Sequence, residues 1–174
     1  MRVRQSAILK KLVGNDKGFT LIELLIVVAL TGIISAGAAM SIQQVLIGTA
    51  FSNDQNTAIN QVRNAVHWIS RDAQMAQNVT DAPVAPEFLK LNWESWDGGS
   101  HNVTYVLLDS TDGLKLLQRN YDGQQMLIAQ YIKPEGSGTA CSWNSTERVL
   151  SVSITAEVDG RTETRMFQVR SRPD

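Results

Sequence analysis

Lys17-Gly18-Phe19-Thr20-Leu21-Ile22-Glu23, with the apolar run that follows it, decides the fold of this chain. After Glu23 no charged residue occurs before Asp54, so positions 24–53 form an uncharged segment of 30 residues. As a helix this segment would be about 45 Å long, more than the roughly 30 Å of a bilayer core. Five basic residues precede it, namely Arg2, Arg4, Lys10, Lys11 and Lys17. The pattern predicts a membrane-spanning helix with its amino terminus inside the cell and the bulk of the chain outside.

Glu23 does not suit an ordinary membrane anchor. Counted from Phe19, it is the fifth residue of the predicted helix, where a carboxylate without a partner costs on the order of several kcal/mol. A free α-ammonium group would neutralise it, and cleavage between Gly18 and Phe19 would create one. The position of the acid therefore calls for a partner, and such a cleavage is one way to supply it.

The hexapeptide Gly18-Phe19-Thr20-Leu21-Ile22-Glu23 resembles the cleavage and methylation motif of type IV pilins and type II secretion pseudopilins. The resemblance implies that a prepilin peptidase cuts after Gly18 and that Phe19 is then N-methylated. It also implies that Glu23 neutralises the ammonium group of a neighbouring subunit or of its own chain. The apolar helices would then leave the membrane and pack in the core of a filament.

Two departures from the family pattern favour a minor subunit over a major pilin. Many major pilins have a helix-kinking proline where this chain has Met40, so only Gly32, Gly37 and Gly48 weaken the helix, by about 1 kcal/mol each. Major pilins often close a carboxy-terminal loop with a disulfide, which the single cysteine, Cys141, cannot form within the chain. The segments 69–72, 77–79 and 167–172 are similar to minor pilins and to the J-type minor pseudopilin.

Three other interpretations remain open at this stage. Ala36-Gly37-Ala38 resembles a signal-peptidase site, whose cleavage would release a soluble binding domain that begins at Ala39. The helix could also be a plain signal anchor, or the anchor of a periplasmic enzyme. The first is disfavoured because Glu23 interrupts the apolar region and helical patterning continues past Ala39. The last lacks any constellation of catalytic residues.

Charge and composition limit the partners and the chemistry. The chain of 174 residues has a formal charge of −1, which becomes −5 without the leader 1–18, so no nucleic-acid partner is predicted. The two histidines, His67 and His101, and the single cysteine lack the spacing of a metal site. Asp109, Asp112 and Asp122 suit turns better than a calcium site. We therefore expect no catalytic residue, no cofactor and no metal.

Helical patterning continues beyond the membrane segment. Val62, Val66, Ile69, Ala73 and Ala76 recur at steps of four and three, while Arg63, Arg71 and Asp72 fall off this stripe. The pattern predicts one helix over Phe19–Val79, apolar all round in its first half and amphipathic in its second. Ala82-Pro83-Val84-Ala85-Pro86 would end it.

The remainder predicts antiparallel strands. Turn sequences lie at 97–100, 109–113, 122–123 and 159–160. The last hairpin pairs Val152 with Phe167 and Leu150 with Val169 on one face. Residues 133–148 are predicted as a long loop, in which Trp143 is a candidate partner contact or a capping aromatic.

The prediction is therefore an α+β protein, in which a long N-terminal helix (membrane half plus amphipathic half) packs on an antiparallel β-sheet. Its parts would be a basic leader (1–18), a transmembrane and filament-core helix (19–50) and a periplasmic or extracellular domain (51–174). The resemblance implies a non-enzymatic subunit of a type II secretion pseudopilus or type IV pilus, at the tip or in an initiation complex. Its partners would be other pilin or pseudopilin subunits, prepilin peptidase, the inner-membrane assembly platform and membrane lipid.

Overall fold

A long helix and an eight-stranded sheet make up the described part of the chain. The computed structural model describes residues 18–81, 84–110 and 112–173. Residues 1–17 of the predicted leader and the predicted helix breakers Ala82 and Pro83 lie outside this part. The elements are α1 (Leu21–Met75), β1 (Asn78–Asp81), β2 (Glu87–Glu94), β3 (Ser100–Asp109), β4 (Lys115–Tyr121), β5 (Gln124–Ile132), β6 (Ala140–Asn144), β7 (Val149–Val158) and β8 (Arg161–Arg170). The chain divides into two units between Gly48 and Thr49.

Helix α1 begins at Leu21 and not at Phe19, because Thr20 caps it. The backbone N–H of Glu23 donates to the Thr20 carbonyl oxygen at 3.0 Å and lies 3.3 Å from Thr20 Oγ1. Thr20 and Glu23 have the spacing of a capping box, a signal that starts a helix after the threonine. The residue predicted to be first in the helix therefore lies outside it.

The predicted helix end at Val79 is also wrong, since α1 ends at Met75. The N–H of Gln77 donates to the carbonyl oxygen of Asn92 at 2.9 Å, and residues 78–81 then pair with β2 as strand β1. The backbone groups of Val79 thus find partners in the sheet, which ends the helix before the predicted prolines are reached.

The buried stripe of α1 is centred differently from the prediction. Its fully buried residues are Ala58, Val62, Ala65, Ile69, Asp72 and Ala73, and Ala76 is buried just beyond the helix end, whereas Val66 is half-buried. The prediction that Asp72 lies off the stripe is wrong. Ala58, Val62, Ala65, Ile69, Asp72 and Ala76 follow one another at regular steps of four and three, so geometry places Asp72 in the middle of the buried face.

The sheet has the strand order β1-β2-β3-β4-β5-β7-β6, with β8 paired to β7, and these neighbouring strands are antiparallel. The predicted pairs Val152–Phe167 and Leu150–Val169 are confirmed. Asp159 and Gly160 have φ values of 46° and 74°. Two successive positive φ values are what a tight hairpin turn of this hand requires, which explains the Asp-Gly sequence.

The predicted loop over residues 133–148 contains strand β6, which pairs with the first half of β7. Cys141 and Trp143 are partly buried against the core, and the residues that alternate with them, Ala140, Ser142 and Asn144, are exposed. This alternation is a strand signal, but the surrounding glycines and Pro134 favour a loop, and the sequence pattern therefore predicts one.

The core lies between the buried stripe of α1 and one face of the sheet. Its largest fully buried residues include Tyr105, Phe88, Ile69, Leu89, Leu91, Leu117, Ile132, Leu150 and Ile154. The predicted α+β class, a long helix packed on an antiparallel sheet, is confirmed.

Replacement of Ile69 by Ala tests this packing. Ile69 is fully buried, so we expect Ile69→Ala to lower the free energy of unfolding by about 2–5 kcal/mol. Denaturant unfolding of the full chain in detergent, followed by near-ultraviolet circular dichroism, measures the change. Gln74→Ala, at an exposed position of the same helix, is the control and should change the value by less than about 0.5 kcal/mol. Equal effects of the two substitutions would contradict the packing.

Candidate functional site

The first candidate site is the amino-terminal segment around Gly18 and Phe19. Residues 18–20 are exposed and precede the helix. Phe19 is 80% exposed. Glu23 is the acidic residue in the first turn of α1, where the partial positive charge of the helix terminus favours a carboxylate. Among the described residues, none forms an ion pair with Glu23.

The apolar side chains of α1 up to Phe51 are exposed. They include Leu21, Ile22, Leu24, Leu25, Ile26, Val27, Val28, Leu30, Ile33, Ile34, Met40, Ile42, Val45, Leu46, Ile47 and Phe51. By length and composition α1 can cross a membrane: its most apolar window has a mean hydropathy of 2.3 and no buried residue. An apolar surface of this extent needs lipid or other protein to cover it.

Two hydroxyl groups within this segment bond to the helix itself. Thr31 Oγ1 donates to the carbonyl oxygen of Val27 at 2.9 Å, and Ser41 Oγ donates to that of Gly37 at 2.9 Å. Such bonds let polar residues lie in an apolar medium. A Cβ added at Gly32, Gly37 or Gly48 would meet nothing within 4 Å. Packing within the described chain therefore does not require these glycines.

The second candidate site is a buried ion pair in the sheet domain. Asp72, on α1, is fully buried. The hydroxyl of Tyr105, on β3, donates to its Oδ2 at 2.5 Å. The guanidinium of Arg119, on β4, donates to Oδ2 at 2.6 Å and to Oδ1 at 3.0 Å. Both carboxylate oxygens are therefore satisfied by groups of the sheet, as a buried charge requires.

The pKa values of Tyr105 and Arg119 are both raised by their surroundings. Burial raises the pKa of Tyr105, and the charge of Asp72 raises it further. Tyr105 is thus a permanent donor. Burial opposes the charge of Arg119, but the hydrogen bonds and the charge of Asp72, together with Tyr105, outweigh it and raise the pKa of Arg119. Arg119 therefore stays a cation in the interior.

Aromatic rings enclose the Arg119 guanidinium. Its central carbon lies 5.0 Å from the ring centroid of Trp68 and 4.8 Å from that of Tyr121. Arg71 approaches the Trp68 ring at 5.4 Å. Cation–π attraction is stronger where water is excluded, and only 11% of the Arg119 side chain is exposed. Arg119, on the sheet, therefore contacts the helix at two residues: Asp72 through the ion pair and Trp68 through its ring.

A polar cluster joins the β2–β3 turn to the β4–β5 turn. Ser95 Oγ lies 2.7 Å from His101 Nε2, and His101 Nδ1 lies 2.9 Å from Asp122 Oδ2. The N–H of Asn102 donates to Asp122 Oδ1 at 2.8 Å. The hydrogen bond from His101 lowers the pKa of Asp122, and the bond from the Asn102 backbone lowers it further. The two turns are thus held by a carboxylate that remains ionised.

Ser95, His101 and Asp122 have the connectivity of a hydrolytic triad, but their surroundings do not suit acyl transfer. Ser95 Oγ also donates to the carbonyl oxygen of Gly99 at 3.1 Å, and it contacts the Asp97 carboxylate. A nucleophilic serine needs donors beside it to stabilise an oxyanion, and here acceptors take those positions. The cluster is therefore an element of the turn and not a catalytic centre.

The β2–β3 turn presents an exposed tryptophan. Trp96 is 95% exposed. The turn below it is fixed, since the N–H of Ser95 donates to the carbonyl oxygen of Gly99 at 2.8 Å and the N–H of Gly98 donates to that of Ser95 at 2.9 Å. The sequence predicts a turn at residues 97–100 but not the exposure of Trp96. The signal for that exposure is a tryptophan within the turn sequence Ser-Trp-Asp-Gly-Gly.

The remaining predicted residues have structural surroundings. The N–H of Trp143 donates to Asp81 Oδ2 at 2.9 Å, and its side chain packs partly against the core. Part of this ring stays exposed, and a partner contact at Trp143 stays a prediction. The Cys141 thiol donates to the Phe88 carbonyl oxygen at 3.1 Å. Asp109 pairs with Lys115. Within the described ranges, no group of three or more His, Cys, Asp or Glu residues is placed to hold a metal ion.

Truncation of Asp72 tests the ion pair. Asp72→Ala leaves the buried Arg119 cation without its partner, and we expect it to lower the free energy of unfolding by about 3–5 kcal/mol. Tyr105→Phe removes one hydrogen bond and should cost about 1–2 kcal/mol. The double variant Asp72→Leu/Arg119→Met removes both charges. It should lose less unfolding free energy than the sum of the losses in the single variants Asp72→Leu and Arg119→Met. Simple additivity in denaturant unfolding would contradict a coupled pair.

The Asp122 cluster predicts a pH dependence. Because the pKa of Asp122 is lowered in the folded state, its contribution is complete above the unfolded value of about 3.9 and is lost as the pH falls through the folded value. The difference in unfolding free energy between the wild type and Asp122→Asn should therefore shrink as the pH falls from about 6 to about 2. Asparagine tolerates the positive φ of 49° at this position. A difference that is constant with pH would refute the assignment.

Comparison with known proteins identifies only the amino-terminal segment. Residues 14–39 match the family described as the prokaryotic N-terminal methylation motif. No curated protein and no solved structure matches the chain. The matched segment contains the Gly18–Glu23 hexapeptide, and the long exposed helix and antiparallel sheet agree with it. The chain thus carries a prepilin-type methylation motif and is a structural, type IV pilin- or pseudopilin-like subunit that prepilin peptidase processes.

Proposed function

We propose that this protein is a minor pilin-like subunit, cut after Gly18 and N-methylated at Phe19, that assembles through Glu23 into a type II secretion pseudopilus or a type IV pilus. It would act at the tip of the filament or in the complex that initiates it. The observation that carries the proposal is the methylation motif at the start of an exposed apolar helix.

The backbone around the proposed cleavage site supports processing there. The Gly18–Phe19 bond precedes α1, in exposed and non-helical chain. A peptide bond outside a helix is free of the internal hydrogen bonds that would have to break before a protease could bind it. Cleavage would leave α1 intact, because the Thr20 cap lies after the cut.

The environment of Glu23 supports a partner from another subunit. The carboxylate lies beside exposed apolar residues, and none of the described residues neutralises it. An unpaired charge is costly in lipid or in a filament core, whereas an ammonium group at Phe19 of a neighbouring chain would remove both charges at once. Assembly in register therefore follows from the need to pair these two groups.

The membrane arrangement follows from the same segments. Residues 1–18 would be the leader, 19–50 the transmembrane and filament-core helix, and 51–174 the periplasmic or extracellular domain. The basic leader favours a single-pass protein in the inner membrane with its amino terminus inside. Before assembly the helix contacts membrane lipid, prepilin peptidase and the assembly platform; afterwards it contacts other pilin or pseudopilin subunits.

Two alternatives make different use of these features. A major pilin-type subunit would use the same motif, but Met40 and the single cysteine fit it less well. Release by signal peptidase near Ala38 would cut within α1, which continues without interruption to Met75. The helical state of residues 36–38 supports cleavage at Gly18 instead.

Mass spectrometry of the mature chain tests the cleavage site. In a host with prepilin peptidase, the intact mass and the first residue should correspond to a chain that begins at Phe19 and carries one additional methyl group. A chain that begins at Ala39 would overturn the proposal.

Replacement of Glu23 by Ala tests assembly. Glu23→Ala should still insert in the membrane, but the amount of protein in the sheared filament fraction should fall by at least about tenfold, because the ammonium group of Phe19 loses its partner. Glu147→Ala, which removes an exposed acid of the domain, is the control and should assemble normally. Normal assembly of Glu23→Ala would contradict the proposed role.

A further inference from the structure

The exposed Trp96 has the properties of an interface anchor. Tryptophan is among the residues that most often dominate binding energy, because its large ring buries apolar area at little cost in entropy. At 95% exposure, this ring has no role in the fold of its own chain. The turn beneath it is closed by the Ser95–Gly99 and Gly98–Ser95 bonds, so the backbone that carries the ring is ordered before any partner binds.

The charges around Trp96 are negative. Glu94 and Asp97 flank the ring, and both are exposed. Hydrogen bonds from the backbone of Gly99 and from Ser95 lower the pKa of Asp97, so this carboxyl remains ionised. An acidic rim disfavours contact with an anionic membrane surface and favours a partner surface that carries arginine or lysine.

A groove on the outer face of β6, β7 and β8 has complementary properties. Its volume is about 540 Å³, and its lining includes Ala140, Ser142, Ser151, Ser153, Met166 and Gln168. The register explains its shape: Ala140 and Met166 both pair with Ser153, and Ser142 and Gln168 both pair with Ser151. Small residues on β6 and β7 therefore leave a depression beside Met166, which is 80% exposed.

A cation borders this groove. Arg170 follows Gln168 on the same face of β8, pairs with Val149 and is exposed. The other arginines of β8, Arg161 and Arg165, pair with Val158 and Ile154 and belong to the opposite face. The groove thus offers an apolar side chain, small polar residues and a cationic margin, which suits an aromatic ring with an acidic rim.

We propose that Trp96 of one copy of this chain docks into the Met166 groove of a second copy. The inference rests on the proposed function, because it supplies a contact between sheet domains of assembled subunits in addition to the Glu23–Phe19 pairing of their helices. Donor and acceptor surfaces consist of different residues, so one copy can contact one neighbour through Trp96 and another through its groove. Such a contact can join two copies at the start of a filament, and it can equally join successive copies along the filament.

Cysteine cross-linking tests the contact in the full-length chain. In a Cys141→Ser background, copies with Ser100→Cys at the β2–β3 turn, which keep Trp96, and copies with Gln168→Cys in the groove, which keep Met166, are produced together, with different tags, in a host with prepilin peptidase. Oxidation of the membranes should yield the mixed dimer at about tenfold or more above the pair of Ser100→Cys with Val84→Cys, because docking raises the effective concentration of the two thiols. Val84 is a matched control, since it is 74% exposed.

Charge reversal at exposed positions provides a second test that does not disturb the core. Glu94→Lys on the donor copy, or Arg170→Glu on the acceptor copy, should each lower the yield of mixed dimer by several-fold. The two reversals together should restore it. Loss without restoration would overturn the complementarity.

The outcomes separate this inference from the proposed function. If processing at Phe19 and Glu23-dependent assembly occur but the mixed dimer does not exceed the control, the docking proposal is wrong and the function stands. If processing does not occur, the proposed function is wrong. If vesicles of phosphatidylethanolamine and phosphatidylglycerol protect Ser100→Cys from an aqueous maleimide and no mixed dimer forms, the turn that carries Trp96 is a membrane contact and the proposal is overturned.

Discussion

The buried carboxylate of Asp72 is the constraint on which the sheet domain depends. A charge without exposure to water must be neutralised and fully hydrogen-bonded. Asp72 receives those bonds from Tyr105 and Arg119, on two neighbouring strands of the sheet. One rotation of α1 brings the carboxylate to these donors, and the same rotation places the alanines of the stripe against the sheet. The ion pair thus specifies how the helix lies on the sheet, a task that small apolar residues perform poorly by themselves.

The same interaction extends to the surface of the domain. Arg119 lies between Trp68 and Tyr121. The Tyr121 ring stacks on His101, which contacts Ser95 in the turn that presents Trp96. A continuous series of packed and hydrogen-bonded groups therefore joins the helix to the turn. Its consequence is a preorganised surface, since the turn is held by the same groups that hold the core.

Glu23 and Asp72 are two acids of one helix that meet the same physical requirement in different ways. Asp72 finds its cation within the chain. Glu23 has no cation among the described residues, and it lies within the segment that matches the methylation motif. Under the proposed function, its cation is the ammonium group that processing creates on a neighbouring subunit.

The sequence by itself determined the presence of the methylation motif, the fold class and the register of the last hairpin. Each depends on local order: the hexapeptide, the uncharged run, and an alternating pattern around Asp159-Gly160. Tertiary structure decided the burial of Asp72, the helix end at Met75 and the strand β6. The first two depend on partners distant in sequence, namely Arg119 for the charge and Asn92 for the helix end. The strand depends on its pairing with the adjacent β7, which the glycine-rich local sequence does not reveal. Local sequence patterns indicate the secondary structure and the exposure that a residue favours. Only the folded chain brings up the hydrogen-bonding or charged group that a buried residue needs.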